Sequence, residues 1–149
     1  MGEWVRVDVP AVLRRIASAC AREPRVAAAW LFGSALGEMR PDSDIDVGVA
    51  LAPQGQSATG LAAFALPVAL GDALGRWDGH PFEVTVFQID HATFVMSALR
   101  DALLAYEGDG EALAVFVEAV AQRYRQDGPR YWQAVREVNG WDAHPTPSE

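Results

Sequence analysis

The residues with the clearest chemical potential sit close together in the first third of the chain. The apolar run Trp30, Leu31, Phe32 ends at Gly33 and Ser34. Nine residues later come Asp44 and Asp46, one residue apart, and then a second apolar run. Side chains along a strand alternate with a period of two, so Asp44 and Asp46 point to the same side. Two neighbouring carboxylates beside a small Gly-Ser turn suit a divalent cation carrying a phosphate. A third acid, Glu83, stands in the β-branched segment Phe82 to Phe87. Alternation there puts Phe82, Val84 and Val86 on one face and Glu83, Thr85 and Phe87 on the other. A carboxylate in such a segment is costly unless it is solvated, paired or bound to metal. Three carboxylates on adjacent strands can hold two Mg²⁺ ions. Two ions about 3.5–4 Å apart stabilise both the attacking and the leaving oxygen of an in-line displacement.

These residues need a sheet to position them, and the local patterns supply one. Asp8 caps a first helix that tolerates Pro10 in its first turn, runs to about Arg22 and stops before Pro24. Arg25 to Phe32 reads as a first strand and Gly33 breaks it. Leu36 to Pro41 reads as a turn or short helix followed by a loop, and Ile45 to Leu51 as the second strand. Leu61 to Trp77 is helical in pattern, with Pro67 predicting a kink or two pieces. Asp78 to Pro81 is a turn and Phe82 to Phe87 a third strand. His91 to Tyr106 reads as one helix. Leu113, Phe116, Val117, Val120 and Tyr124 have the spacing of another, Gly128-Pro129 punctuates, and Tyr131, Val135 and Val138 suggest a last short helix. The expected fold class is α+β or α/β: one domain over residues 1–149, with a small mixed sheet, flanking helices, a core at 25–107, a helical extension at 110–140 and a loose tail at 143–149.

Composition narrows the chemistry. A chain of 149 residues that is half hydrophobic and 21% charged can build one packed core. No apolar run reaches the roughly 18 residues of a membrane span, and the N-terminus lacks a secretory layout, so a cytoplasmic location is expected. The single cysteine, Cys20, falls on the buried stripe of the first helix and reads as a core thiol. A net charge of −8 argues against a surface that grips nucleic acid. All twelve basic residues are arginine. The absence of lysine excludes a Schiff-base lysine and a Walker-type loop, leaving backbone N–H groups, hydroxyls, metal or arginine to hold a phosphate.

The combination of Gly33-Ser34, Asp44-Ile45-Asp46 and strands on both sides resembles the signature of the nucleotidyltransferase superfamily with a DNA polymerase β-type palm. The flanking Arg40 to Asp46 and the short length resemble its minimal members, the MNT proteins, which often pair with HEPN-domain toxins as antitoxins. The resemblance covers about residues 25–107. It includes Ala98 to Glu107, which is similar to the helix after the third strand in those proteins. It implies that Gly33 and Ser34 hold the β- and γ-phosphates of a nucleoside triphosphate and that Asp44 and Asp46 bind both metals. Glu83 takes the third-carboxylate position and helps to deprotonate the attacking hydroxyl. The implied reaction transfers a nucleoside monophosphate, AMP from ATP, to a hydroxyl acceptor, with Mg²⁺ (or Mn²⁺) as the ion. Three departures stand out. The spacing is nine residues where the minimal pattern has ten, Leu36 precedes Gly37 where an arginine is usual, and the third acid is Glu rather than Asp. Arg40 is the nearest replacement for the arginine, and Ser43 is placed to touch a phosphate or to orient the aspartates.

Competing readings accompany each feature. Glu83 could be a charge that guards an edge strand. Asp78 and Asp90 are rivals for the third ligand but lie in turns. Arg100 could reach a triphosphate or make a structural hydrogen bond. His80, His91 and His144 follow no ligand spacing and are assigned no site. Arg123, Tyr124, Arg125, Arg130, Tyr131, Trp132 and Arg136 form a basic, aromatic patch better read as helix packing or a protein contact than as a nucleic-acid platform, and the helical segment beyond the core could serve a partner or a homodimer. Two further functions compete with transfer to a HEPN-type partner: an antitoxin that acts by binding alone, and an enzyme modifying an aminoglycoside-type small molecule.

Overall fold

In the computed structural model, residues 3–56 and 61–139 are described, with side chains described for 3–56 and 63–127. Helix α1 spans Val9–Ala21. Its cap is Asp8, whose carboxylate accepts from the Ala11 N–H at 3.1 Å, and Pro10 sits in the first turn, as expected. Strand β1 (Val26–Phe32) leads into a 3-10 turn at Gly33–Leu36, and β2 covers Ile45–Leu51. Helix α2 (Leu61–Leu74) is followed by the short β3 (Arg76–Trp77) and by β4 (His80–Val86). Helix α3 (Ala92–Leu99), strand β5 (Leu103–Glu107) and helix α4 (Gly110–Asn139) complete the order.

The five strands form one mixed sheet in the order β3-β4-β2-β1-β5. The β2–β4 pair is parallel and the others are antiparallel. One face packs against α1 and α2 through Val12, Ile16, Leu66, Leu70, Leu31, Ile45, Val47, Val49 and Phe82. Burying an aliphatic side chain of this size contributes about 1.5–3 kcal/mol, which makes this layer the main anchor of the central strands. The other face carries Ala28, Trp30, Ala50 and Phe87 under Ala92, Val95 and Val120 of α3 and α4. Cys20 is fully buried in the first layer, and burial together with the charge of Glu23 pushes its thiol up to about 12, so it is an inert core group.

Four expectations are corrected. The segment Leu61 to Trp77 is a single helix ending at Leu74, with Pro67 inside it. The carbonyl that Pro67 frees belongs to Ala63, at the exposed start of the helix, where water can satisfy it. His80 and Pro81 belong to β4, because Asp78 and Gly79 alone make the tight hairpin turn, both with positive φ (49° and 85°). His91 to Tyr106 is not one helix, and of Ala98 to Glu107 only Ala98 and Leu99 belong to α3. The chain turns at Arg100–Asp101 and returns as β5. β1 is buried from Val26 to Leu31 and needs a hydrogen-bonding partner on its outer edge, and that tertiary demand overrides the helix-favouring Leu and Ala. Gly128-Pro129 does not interrupt α4, which runs unbroken for 30 residues. The carbonyl released by Pro129 is that of Arg125, which is exposed. The tail at 143–149 and His144 lie outside the described residues, as do the side chains of Arg130, Tyr131, Trp132 and Arg136.

Candidate active site

The strand register brings the candidate residues to one end of the α3/α4 face. Phe32, the last residue of β1, pairs with Asp46 on β2, and Asp46 pairs with Glu83 on β4. Directly paired residues share a face, so the carboxylates of Asp46 and Glu83 are neighbours in the centre of the sheet. Asp44 lies two residues before Asp46, exposed, in the loop that enters β2.

Gly33 follows Phe32 with φ +81°, and a Cβ on it would overlap the Asp46 Oδ2. Glycine is needed there for two reasons: the left-handed backbone, and a close approach of main chain to carboxylate that no side chain would permit. Ser34 is exposed in the same turn, which the Gly37 N–H closes onto the Ser34 carbonyl at 3.0 Å.

The electrostatics of the cluster are unrelieved. Asp46 is pushed up to about 6. Burial is the largest cause, followed by the charge of Glu83, a hydrogen bond with Glu83 that requires a shared proton, and the charge of Asp44. Among the described residues no three Asp, Glu, His or Cys side chains converge into a finished metal site. The arrangement is a close acidic pair with a third carboxylate beside it. The donor set still fits a hard divalent cation. It is all carboxylate oxygen, and Mg²⁺ commonly takes one or two protein carboxylates and completes its shell with substrate phosphate and water.

The loop before Asp44 is held from both sides. Val5 and Met39 exchange backbone hydrogen bonds at 2.8 and 2.9 Å, and the Ser43 N–H donates to the Arg40 carbonyl at 3.1 Å. His80, 5% exposed, points its Nδ1 at the Ser43 carbonyl at 2.9 Å. A carbonyl only accepts, so Nδ1 carries the proton. Sequence reasoning gave His80 no role. The signal lies in the parallel register, since Ile45↔Phe82 extended by two residues sets Ser43 beside His80. Arg40 is exposed in this loop and Ser43 is half-buried next to Asp44.

The rivals are placed elsewhere. Asp78 occupies the hairpin turn, Asp90 pairs with Arg123 at 3.4 Å, and Arg100 is exposed at the end of α3. A cavity of about 700 Å³ lined by Arg25, Leu51, Val86, Phe87 and Phe116 opens toward the far end of β2 and touches none of the three carboxylates. Five residues of strand, roughly 17 Å, separate Asp46 from Leu51.

Comparison with known proteins agrees with this architecture. The model of the polymerase beta nucleotidyltransferase family matches residues 14–110. No curated protein matches the chain. Solved structures with a similar fold include a mutant of the toxin-antitoxin MntA-HpeT, at TM-score 0.54 and 15% identity over 87% of this chain and 94% of that one. The toxin-antitoxin MntA-HepT matches at TM-score 0.51 and 16% identity, over 87% and 97%. A toxin-antitoxin with AMP-PNP matches at TM-score 0.52 and 16% identity, over 85% and 96%. With its family model spanning both aspartates, Glu83 and the sheet that presents them, this chain belongs to the polymerase beta nucleotidyltransferase family.

Proposed function

We propose that this protein is a minimal nucleotidyltransferase that moves a nucleoside monophosphate, AMP from ATP, onto a hydroxyl of a HEPN-type partner. The observation that carries the reading is the registered pair Asp46 and Glu83, with the Gly33 turn against the Asp46 carboxylate and Asp44 in the loop just before it. The partner and the nucleotide are supported by the fold neighbours, toxin-antitoxin MntA-HepT structures, and one with AMP-PNP.

Asp44 and Asp46 would hold the divalent ions, Mg²⁺ first, and Glu83 would complete the acidic set. The bound ions would supply charge neutralisation at the α-phosphate and at the departing pyrophosphate. Gly33 lets the turn approach the phosphates, and backbone N–H groups of Gly33 and Ser34 hold the β- and γ-phosphates. Ser43 and Arg40, in the loop before Asp44, would supply a hydroxyl and a cation to the phosphates. Glu83 accepts the proton of the attacking hydroxyl. The acceptor oxygen then bonds to the α-phosphorus and the bond to pyrophosphate breaks. His80 acts at one remove, by holding the loop that presents Asp44.

The test is label transfer from α-labelled ATP to a co-purified partner. Asp44→Asn combined with Asp46→Asn is expected to abolish transfer while the chain stays folded. Undiminished transfer by that variant overturns the reading. A second reading, neutralisation by contact alone, is favoured by the unfinished convergence of the three carboxylates. It is distinguished by whether the same double variant still protects cells from the partner.

A further inference from the structure

An aromatic wall of Phe32, Phe87 and Phe94 stands beside Asp46. Phe32 is the register partner of Asp46, so its ring leaves the sheet next to that carboxylate. Phe94 of α3 meets Phe32 edge-on, with ring centroids 6.2 Å apart, and meets Phe87 edge-on at 6.1 Å. Phe32 and Phe87 are 5.4 Å apart, which closes the triangle. The seat for Phe87 is made by Gly48, in the middle of β2, because its ring occupies the space a Cβ there would need. A glycine inside a central strand is unfavourable on its own. Phe87 is buried, yet Phe94 leaves 48% of its surface open. Through its contact with Phe32, the half-open ring of Phe94 stands one aromatic neighbour away from Asp46.

We propose that Phe94, backed by Phe32 and Phe87, is the stacking surface for the nucleobase of the bound nucleoside triphosphate. This deepens the nucleotidyltransferase reading and rests on it. A nucleotide whose phosphates lie at Gly33 and Asp46 must place its base a short way off, and every nucleobase has a π-face that an aromatic side chain can cover without hydrogen-bond readout. The wall therefore favours nucleotides over bare polyphosphates and discriminates weakly among bases.

The test compares binding of ATP and of inorganic tripolyphosphate, each with Mg²⁺, by calorimetry. Phe94→Ala is expected to weaken ATP by roughly 5- to 150-fold, the range of an aromatic–base stack, and to leave tripolyphosphate unchanged. Phe94→Tyr is expected to bind ATP like the parent. The proposal is overturned if Phe94→Ala binds ATP normally, if it loses both ligands equally, or if the parent binds tripolyphosphate as tightly as ATP. It is also overturned if the variant keeps ATP but loses the partner protein, which would make the wall a partner contact. A parent chain that binds neither ligand overturns the nucleotide site itself, an outcome distinct from failure of the wall alone.

Discussion

At Asp46, burial, the charge of Glu83 and the charge of Asp44 all favour the protonated acid. The sign of the pH dependence follows. With its carboxyl raised from 3.8 to about 6, the folded chain holds a proton that the unfolded chain has released. Stability is therefore lost as pH rises from about 4 through about 6, and stays lost above. The site is partly open to water, so a loss on the order of 1 kcal/mol is expected. Asp46→Asn keeps the shape and removes the charge. Without divalent cation, it is expected to unfold at higher urea than the parent at pH 8, and the difference should vanish near pH 4. Equal urea midpoints at pH 8 would refute the electrostatic account. The placing of Asp46 and Glu83 on one face was legible in the sequence because strand alternation puts each opposite its apolar neighbours. Asp44 sits in the loop before β2, where alternation does not apply. His80 and Phe94 were not legible, since the contact of His80 with Ser43 and that of Phe94 with Phe32 depend on how distant segments meet.

The elements show the same division between local and tertiary causes. β2 is read correctly from Ile45 to Leu51, because β-branched alternation, a preceding loop and a following Pro53 all agree. β4 starts two residues earlier than its pattern suggests, since the Asp78-Gly79 turn sets the hairpin and pulls His80 into the sheet. β5 is illegible locally: Ala102 to Ala105 has the composition of a helix, and only the open edge of β1 makes it a strand. Gly48 shows how one residue couples such elements. It sits in β2, receives the ring of Phe87 beyond β4, and through that ring contacts Trp30 of β1, centroids 5.7 Å apart, and Phe94 of α3. Gly48→Ala would gain strand propensity but force the Phe87 ring out of its seat. The overpacking term dominates, so a net loss of about 1–3 kcal/mol is expected in urea unfolding. Trp30 fluorescence should change in the native state as the neighbouring ring shifts. A variant with parental stability and emission would show that Phe87 has another low-energy seat.

For the molecule as a whole, the surplus of acid meets the candidate site at one place. The chain carries a net charge of −8, and Asp46 and Glu83 are paired where β2 and β4 present them, with Asp44 in the adjoining loop. Self-repulsion of this kind destabilises the compact state in general, and the proposed function predicts that a divalent cation bound among these carboxylates offsets it. Mg²⁺ competes with protons for the same oxygens, so its effect must grow as Asp46 loses its proton. At a free concentration 100 times its dissociation constant, a ligand specific to the folded state stabilises by about 2.7 kcal/mol. For a chain of this length that corresponds to a rise in Tm of roughly 5–10 °C. The rise is expected at pH 8, and should be much smaller at pH 5, where Asp46 is largely protonated. NaCl at matched ionic strength screens the surface charges without occupying the site and should reproduce little of it. Asp44→Asn combined with Asp46→Asn should remove the Mg²⁺-specific part at both pH values. A Tm shift that is independent of pH, that NaCl matches, or that survives the double substitution would place the cation on the general acidic surface instead of among Asp44, Asp46 and Glu83.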